Sequence, residues 1–366
     1  MEASVPASSS RSASGPYLFD VLALGSVSDT KSLALPRSRM SLGQQWRPRY
    51  RPHPRGWPRA IFLMALASAQ SRIPNPWSCL GLGCPGLDYI TVACTWIMNF
   101  IVVNTFSCKR QFDVKAFFFQ KGDRVYTVQT ITGAYAEYTV ASIDLTYHLP
   151  DKLNFSQGAT AGVPYFTAYK ALVLRSSLKA GETVLVHGAS GNVGIAACQL
   201  ARSLGLRVIG TAGTEEGMNL VLKNKAHMAF NHREAGYEDK IKAATGGKGV
   251  DIILEMLANV NLERDIGLAA NRGRIVVIGN RGTIEINPRG TMAKEVDIRG
   301  TTLYSSTPEE FKIIAAGVNS GLESGILKPH VGTEYSLADA PKAHVHVIQQ
   351  EGGTKGRIVL SCSNLL

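Results

Sequence analysis

The feature that most constrains the fold of this chain is a strand, turn and helix pattern near its middle. Residues Thr183–Val186 form an apolar run typical of a short buried strand, and a turn of small residues, His187–Gly191, follows them. Residues 195–202, IAACQLAR, then predict a helix. Because the first turn of a helix carries unpaired N–H groups and the positive end of the helix dipole, this geometry is typical of a pyrophosphate-binding turn.

The surrounding pattern strengthens this interpretation. Strands are predicted at 207–211, 250–255 and 274–279, with helices at 216–225 and 262–270 between them. Alternating strands and helices predict an α/β fold with a parallel, doubly wound sheet that binds its ligand at the carboxyl ends of the strands. The glycines of the turn match G-x-G-x-x-G only loosely. An α/β domain that binds no nucleotide, in which the glycines only allow a tight turn, therefore stays an alternative.

The end of the second predicted strand favours NADP over NAD. NAD-binding domains of this kind place Asp or Glu there to bind the ribose 2′-hydroxyl, whereas this chain continues Gly210–Gly213 without a carboxylate. Glu215 and Glu216 come later and suit the first turn of the next helix. A 2′-phosphate is therefore not repelled, and Arg233 beside His232 offers positive charge, although both are also typical of ordinary surface.

The run from Gly181 to Arg202, GETVLVHGASGNVGIAACQLAR, resembles the signature of the zeta-crystallin type of quinone oxidoreductases, in the medium-chain dehydrogenase/reductase superfamily. Supporting runs lie at 163–169, 213–217, 230–234, 255–262 and 281–289. The resemblance covers about residues 118–360. It implies a Rossmann-type NADP-binding domain at 158–303 and a GroES-like, β-rich substrate domain at 117–157 and 304–366. The substrate domain is incomplete at its N-terminal side, because residues 1–116 do not match.

The resemblance also implies where NADP(H) binds. It assigns residues after successive strands to three parts of the site. The phosphate turn is Ser190, Gly191, Asn192 and Val193, and the adenosine side is Gly213 and His232. The nicotinamide side is Asn261, Ile278, Gly279, Asn280, Arg281, Thr301, Thr302 and Leu303. The family has a second glycine where this chain has Asn192, and asparagine tolerates left-handed backbone angles, so the turn is expected to form. Val193, Ile278 and Leu303 equally suit plain core positions.

Residues 1–116 carry most of the basic excess of the chain. They contain 13 of its 39 Lys and Arg residues but only five of its 28 Asp and Glu residues, within a net charge of +11. The prolines of an Arg- and Pro-rich tract at 47–59 forbid helix and central strand, so a solvated, extended segment is expected there. We predict that residues 1–116 are largely irregular and replace the first part of the substrate barrel. Binding of this tract to RNA is an alternative.

Two apolar runs raise the question of a membrane. Residues 60–69 look like a signal-peptide core but lie too deep in the chain for an ordinary signal. Residues 89–106 approach the length of a spanning helix, yet their Ile, Val and Thr content and two Asn favour β structure. The six cysteines form no C-x-x-C pair, and neither zinc-ligand spacing of the superfamily is present. These patterns predict a metal-free, cytoplasmic chain without a membrane span.

The function that the resemblance implies is zinc-independent reduction of quinones by NADPH, in a homo-oligomer (dimer or tetramer). The cleft has to hold the nicotinamide against a flat, apolar acceptor, and no catalytic residue is assigned; Tyr135 and Asn261 are candidate polar wall residues. Reduction of 2-alkenal double bonds is an alternative. Two further alternatives are a coenzyme-binding but inactive protein with an RNA-binding or crystallin role, with AU-rich single strands as its RNA, and a truncated variant whose barrel cannot close.

Overall fold

The computed structural model of the protein describes the backbone of residues 89–97 and 100–108, and residues 119, 120, 122–349 and 353–362 in full. Two sheets organise this part of the chain, one of six strands and one of seven. The predicted Arg- and Pro-rich tract at 47–59 and the signal-like run at 60–69 lie outside the described residues.

The six-stranded sheet is parallel throughout, as the alternating pattern predicts. Its strands are β6 (Thr183–Val186), β7 (Arg207–Ala212), β8 (Met228–Asn231), β9 (Val250–Glu255), β10 (Ala269–Val277) and β11 (Asp297–Gly300). The helices that follow these strands are α2 (Asn192–Ser203), α3 (Glu215–Lys223), α4 (Tyr237–Ala244), α5 (Ala258–Leu268) and α6 (Pro288–Lys294). Strands β6, β7 and β9 are apolar runs buried on both faces, which is typical of a sheet covered by helices.

The strand order β11-β10-β9-β6-β7-β8 places the ligand crevice of the sheet. The chain runs outward from β6 through β7 to β8, then returns and adds β9 on the other side of β6. Connections therefore leave β6 and β9 in opposite directions, which opens a crevice at their carboxyl ends. The helix predicted at 262–270 begins four residues earlier, at Ala258, and ends where β10 starts at Ala269.

The seven-stranded sheet has the order β12-β13-β1-β2-β3-β5, with β4 paired to β1. Its strands are β1 (Tyr89–Ile97), β2 (Phe100–Cys108), β3 (Val125–Thr127), β4 (Tyr138–Ser142), β5 (Thr146–His148), β12 (Val331–Ser336) and β13 (Arg357–Ser361). Short 3-10 turns lie at Ile143–Leu145, Leu303–Ser305 and Leu337–Asp339. The β structure favoured for the apolar run at 89–106 is present as the antiparallel pair β1 and β2.

The pair β1 and β2 lies inside the segment 1–116, which the sequence analysis separates from the β-rich domain. In the structure β1 pairs with β4 and β13, and β2 pairs with β3, so residues 89–108 belong to the same sheet as the family-like strands. With that addition, the domain boundaries stay predictions. Among the described residues, no helix has both the length and the apolar content to cross a bilayer.

Helices α1 (Phe155–Tyr169) and α7 (Pro308–Ser324) connect the two sheets, and α8 (Ala340–Gln349) joins β12 to β13 within the seven-stranded sheet. Helix α1 is buried along most of its length and kinks at Gly162, two residues before Pro164, a residue that cannot donate the helical hydrogen bond. It continues as a π-helical turn, Lys170–Arg175. Thr307 caps α7 in a capping box, and the helix ends at Ser324.

Candidate functional site

The predicted phosphate turn joins β6 to α2 at the centre of the parallel sheet. Gly188 adopts left-handed backbone angles (φ +54°), and Gly191 is the residue before the first turn of α2. The amide of Gly191 donates to the carbonyl of Gly188 at 2.9 Å, and the amide of Ala189 donates to Thr211 at 2.7 Å. These bonds hold the turn so that the N-terminus of α2, which has no side-chain cap, faces the crevice.

Glycines at the edges of this turn let it approach the helix and the next strand. A Cβ on Gly194 would lie 2.5 Å from the Cα of Ala189, and a Cβ on Gly210 would lie 2.5 Å from Cγ1 of Val221. Gly194 is the third glycine of the fingerprint, and its contact explains why the spacing matters. Gly210, in β7, lets α3 pack closely against its strand. The sequence did not single out this glycine, because only the packing of α3 reveals its role.

Asn192 does not need the left-handed angles that the sequence analysis allows for it. It is the first residue of α2, and the left-handed residue of the turn is Gly188. The turn forms as expected, and Asn192 is helical because α2 starts one turn earlier than the predicted 195–202. The Nδ2 group of Asn192 is buried and makes no hydrogen bond within the described part of the chain. An amide donor left buried beside a helix N-terminus fits an anionic ligand, since such groups are costly unless bonded.

The predicted adenosine side is built by residues that follow β7 and β8. A Cβ on Gly213 would lie 2.8 Å from Nε of Arg233 and 2.9 Å from Nε2 of His232, so the two basic side chains lie against this glycine. The amide of His232 donates to the carbonyl of Ala212 at 3.1 Å. Burial lowers the pKa of His232, with smaller contributions from the neighbouring His187 and Arg233. The arrangement places the positive charge of Arg233 beside the glycine that follows β7.

The predicted nicotinamide side begins with the loops after β9 and β10. The side-chain amide of Asn261 donates to Oε1 of Glu255 at 3.2 Å. The carbonyl of Gly279 accepts the amide of Ala258 at 3.0 Å, and the amide of Arg281 donates to Oδ1 of Asn259 at 2.9 Å. Ile278 packs against the main core cluster and Asn280 is exposed. These bonds fix the two loops against each other beside the crevice.

The residues after β11 complete this side. Thr301 donates its amide to the carbonyl of Val277 at 3.0 Å, while its hydroxyl is buried and makes no hydrogen bond to any described residue. The carbonyl of Thr302 accepts from Nζ of Lys170 at 3.1 Å, and Leu303 is buried in the core. The ammonium of Lys170 also bonds Ser306 and Glu310, so a buried lysine fastens this segment to the start of α7.

All fourteen predicted coenzyme residues therefore lie at one edge, the carboxyl edge of the parallel sheet. Sequence reasoning missed a contribution from the β-rich domain: the segment 353–357 crosses the phosphate turn. The amide of Gly356 donates to the carbonyl of Ser190 at 2.9 Å, and Lys355 forms an ion pair with Glu216 of α3. No local signal marks this contact, which joins residues 166 positions apart.

Tyr135, predicted as a wall residue, lies in a smaller core cluster of the β-rich domain. Its hydroxyl is 2.8 Å from Nε2 of His344, and burial raises its pKa to about 12. The hydroxyl therefore bonds within its own domain and keeps its proton at neutral pH.

A buried cluster of three titratable residues lies beneath the nicotinamide side and was not predicted. His187 follows β6, Glu255 ends β9 and Asp265 lies in α5; all three are at most 3% exposed. Nε2 of His187 is 2.8 Å from Oδ1 of Asp265 and 3.6 Å from Oε2 of Glu255. Their ligand atoms lie within 4.8 Å of one another, as in a metal site. The 2.8 Å separation is, however, that of a hydrogen bond, so a proton occupies the place that an ion needs.

The cluster perturbs the ionisation of its members. Burial raises the pKa of Glu255 to about 7; the charge of His187 opposes this rise, and that of Asp265 adds to it. Burial lowers the pKa of His187, but the charge and hydrogen bond of Asp265 outweigh burial and leave it raised. Among the described residues no donor bonds the second oxygen of either carboxyl group, and a hydrogen bond between the two groups adds to the rise in the pKa of Glu255.

Comparisons with known proteins agree with the geometry of this edge. The family described as "Zinc-binding dehydrogenase" matches residues 192–318. Human quinone oxidoreductase is 58% identical over 242 residues, which are 66% of this chain and 73% of the human protein. Quinone oxidoreductase 1 of Escherichia coli strain K12 is 31% identical over 249 residues, 65% of this chain and 75% of the bacterial protein.

Solved structures show the same fold. An Escherichia coli quinone oxidoreductase complexed with NADPH aligns with a TM-score of 0.66 and 26% identity, over 76% of this chain and 94% of that one. A mycobacterial protein complexed with NADPH aligns with a TM-score of 0.69 and 26% identity, over 79% of this chain and 94% of that one. Both matches cover more of the chain than the predicted coenzyme domain at 158–303.

Proposed function

Given that this chain belongs to the family of quinone oxidoreductases, we propose that it reduces quinones with NADPH and without zinc. The observation that carries the proposal is the arrangement at the carboxyl edge, where the N-terminus of α2, the pair His232 and Arg233, and the loops after β9, β10 and β11 face one crevice. The buried donor of Asn192 and the buried hydroxyl of Thr301 are polar groups that a bound dinucleotide would satisfy.

Binding and orientation are the tasks of the chain in this reaction. The amides at the start of α2 would hold the pyrophosphate, and Arg233 with His232 would hold the 2′-phosphate against Gly213. When bound, NADPH supplies the hydride. The segment Thr301–Leu303, fastened by Lys170, would keep the nicotinamide in one orientation. Quinones accept electrons readily, so the cleft has to exclude water and align the acceptor rather than donate a proton early.

The proposal is tested by steady-state oxidation of NADPH and of NADH with an ortho-quinone. We expect oxidation that depends on the quinone and a clear preference for NADPH. Arg233→Gln should weaken NADPH binding roughly tenfold or more, the loss of one charge-assisted bond, and leave NADH binding unchanged. Arg272→Gln is the matched control, because Arg272 and its ion-pair partner Glu295 are both exposed.

Several outcomes would contradict the proposal. Equal affinity for NADH and NADPH would show that Arg233 and His232 do not form a 2′-phosphate site. Coenzyme binding without turnover of any quinone supports the inactive alternative, and turnover of a 2-alkenal instead of a quinone supports the double-bond reductase.

We also propose that the protein is a homo-oligomer that pairs through the edge strand β11. This strand ends the parallel sheet, and Ile298 on it and Met292 just before it are 39% and 75% exposed. Binding to AU-rich RNA and a cytoplasmic location stay predictions from the sequence.

A further inference from the structure

Glu255 connects the nicotinamide side of the site to the buried cluster through its two carboxylate oxygens. Oε1 accepts the amide of Leu257 and, at 3.2 Å, the side-chain amide of Asn261. Oε2 points to the other side and lies 3.6 Å from Nε2 of His187. One fully buried side chain therefore touches both a predicted coenzyme residue and a titratable pair.

The backbone of Glu255 binds the second loop of the site. Its carbonyl accepts the amides of Ile278 and Gly279, at 2.8 Å and 3.2 Å. Gly279 in turn accepts the amide of Ala258 at 3.0 Å, which closes a ring of bonds between the loops after β9 and β10. Glu255 thus bonds both loops that predicted coenzyme residues occupy, the loop after β9 through its side chain and the loop after β10 through its backbone.

The cluster has to share its protons, because three ionisable groups are buried together. When His187 is charged and Asp265 is ionised, a proton on Glu255 makes the cluster neutral, which a low-dielectric interior favours. That proton occupies Oε2, since Oε1 already accepts two bonds. Other titratable groups that face the cluster or its members from adjacent elements are Tyr237 and Glu238 of α4, Arg264 of α5 and His232 after β8.

We propose that Glu255 is a positioning residue of the coenzyme site, and that gain or loss of a proton in the His187–Asp265–Glu255 cluster sets how firmly Asn261 is held. The proposal rests on the proposed function. Ionised Glu255 accepts from Asn261 through a charge-assisted bond, and neutral Glu255 accepts through a weaker one. Because burial raises the pKa of Glu255 to about 7, the change falls near neutral pH. Asn261 is therefore held more firmly as the pH rises through this range.

The first test measures NADPH affinity from pH 5.5 to 9 in the full chain and in Glu255→Gln, an isosteric variant that cannot ionise. The ratio of the two dissociation constants isolates Glu255, since His232 and the 2′-phosphate titrate equally in both. We expect a ratio near one at pH 5.5 that rises about three- to tenfold by pH 8.5. Glu309→Gln, at an exposed carboxylate of α7, is the matched control and should give a ratio that does not change with pH.

The second test needs no coenzyme. In the full chain labelled with ¹⁵N-asparagine, the side-chain amide signal of Asn261, identified by its loss in Asn261→Asp, should shift with a midpoint near pH 7. The shift should vanish in Glu255→Gln. In His187→Gln the midpoint should move to higher pH, because the charge of His187 favours ionisation of Glu255.

The two tests separate failure of this inference from failure of the proposed function. If the protein does not bind NADPH, the function fails and the amide titration still decides whether Glu255 controls Asn261. An amide signal that does not titrate, or that titrates unchanged in Glu255→Gln, overturns the inference. A titrating signal with an affinity ratio that is flat across the pH range also overturns it, since the cluster would then not act on the coenzyme site. If Glu255→Gln does not fold, the midpoint in His187→Gln decides.

Discussion

Replacement of Gly194 by alanine tests the phosphate turn most directly. A Cβ at this position would lie 2.5 Å from the Cα of Ala189 and 2.6 Å from the carbonyl oxygen of Gly188. Both neighbours are backbone atoms of the turn itself, so no side-chain rotation relieves the contact. Carbon atoms pack at about 3.5–4.0 Å, and the turn or the start of α2 therefore has to move by roughly 1 Å.

The magnitude follows from two opposing effects. Overpacking of this kind costs about 1–3 kcal/mol, whereas replacing a helical glycine by alanine contributes about 0.5–1 kcal/mol of stability. We expect a net destabilisation of about 1–2 kcal/mol, which lowers Tm by roughly 2–8 °C for a domain of this size. A displacement of the amides by about 1 Å also breaks at least one bond to the pyrophosphate, so the Kd for NADPH should rise about tenfold or more.

The assay pairs thermal melting with a fluorescence titration by NADPH, and Gly267→Ala is the control. Gly267 is also a helical glycine, in α5, but it is exposed and a Cβ there would meet nothing within 4 Å. Gly267→Ala should leave the affinity unchanged and raise or preserve Tm. If Gly194→Ala binds NADPH as tightly as Gly267→Ala and melts at the same temperature, the close-packed turn is not the binding element and the reasoning fails.

Three other predictions concern the same region. Asn192→Ala should weaken NADPH binding about three- to tenfold without lowering the Tm of the free protein, because the buried Nδ2 group lost has no partner among the described residues; a lower Tm with unchanged affinity would contradict a ligand role. The raised pKa of Glu255, about 7 against 4.5 for the ordinary side chain, stabilises the folded state fully below about pH 4.5, and this contribution of about 3 kcal/mol is lost as the pH rises through 7. Denaturant unfolding should therefore show stability that falls between pH 5 and 8, less steeply in Glu255→Gln, and parallel profiles would refute this assignment. Ile298→Glu should lower the molar mass measured by light scattering to that of a smaller species, and an unchanged mass would exclude β11 as the interface.

Local patterns predicted the elements whose causes are local. The apolar run Thr183–Val186, the small-residue turn and the helix after it are all present, because each depends on residues within a few positions. The cap of α7 has a local cause of the same kind, since Thr307 and Glu310 form their capping box within one turn. The start of α5 was placed too late, because Leu257 and Ala258 are fixed by bonds to Glu255 and Gly279 rather than by a cap in the sequence.

The alternation of strands and helices in the sequence predicted the parallel sheet, and the family resemblance placed the coenzyme residues after its successive strands. Parallel strands necessarily bring such positions to one edge. Only the tertiary structure revealed the contacts that close this edge from outside the pattern. His187 lies next to Glu255 and Asp265, which are 68 and 78 positions further along the chain. This proximity depends on which strands are neighbours. The bond from Gly356 to Ser190 depends on how the β-rich domain meets the turn. Such contacts arise from packing between distant segments, for which neighbouring residues carry no periodic signal.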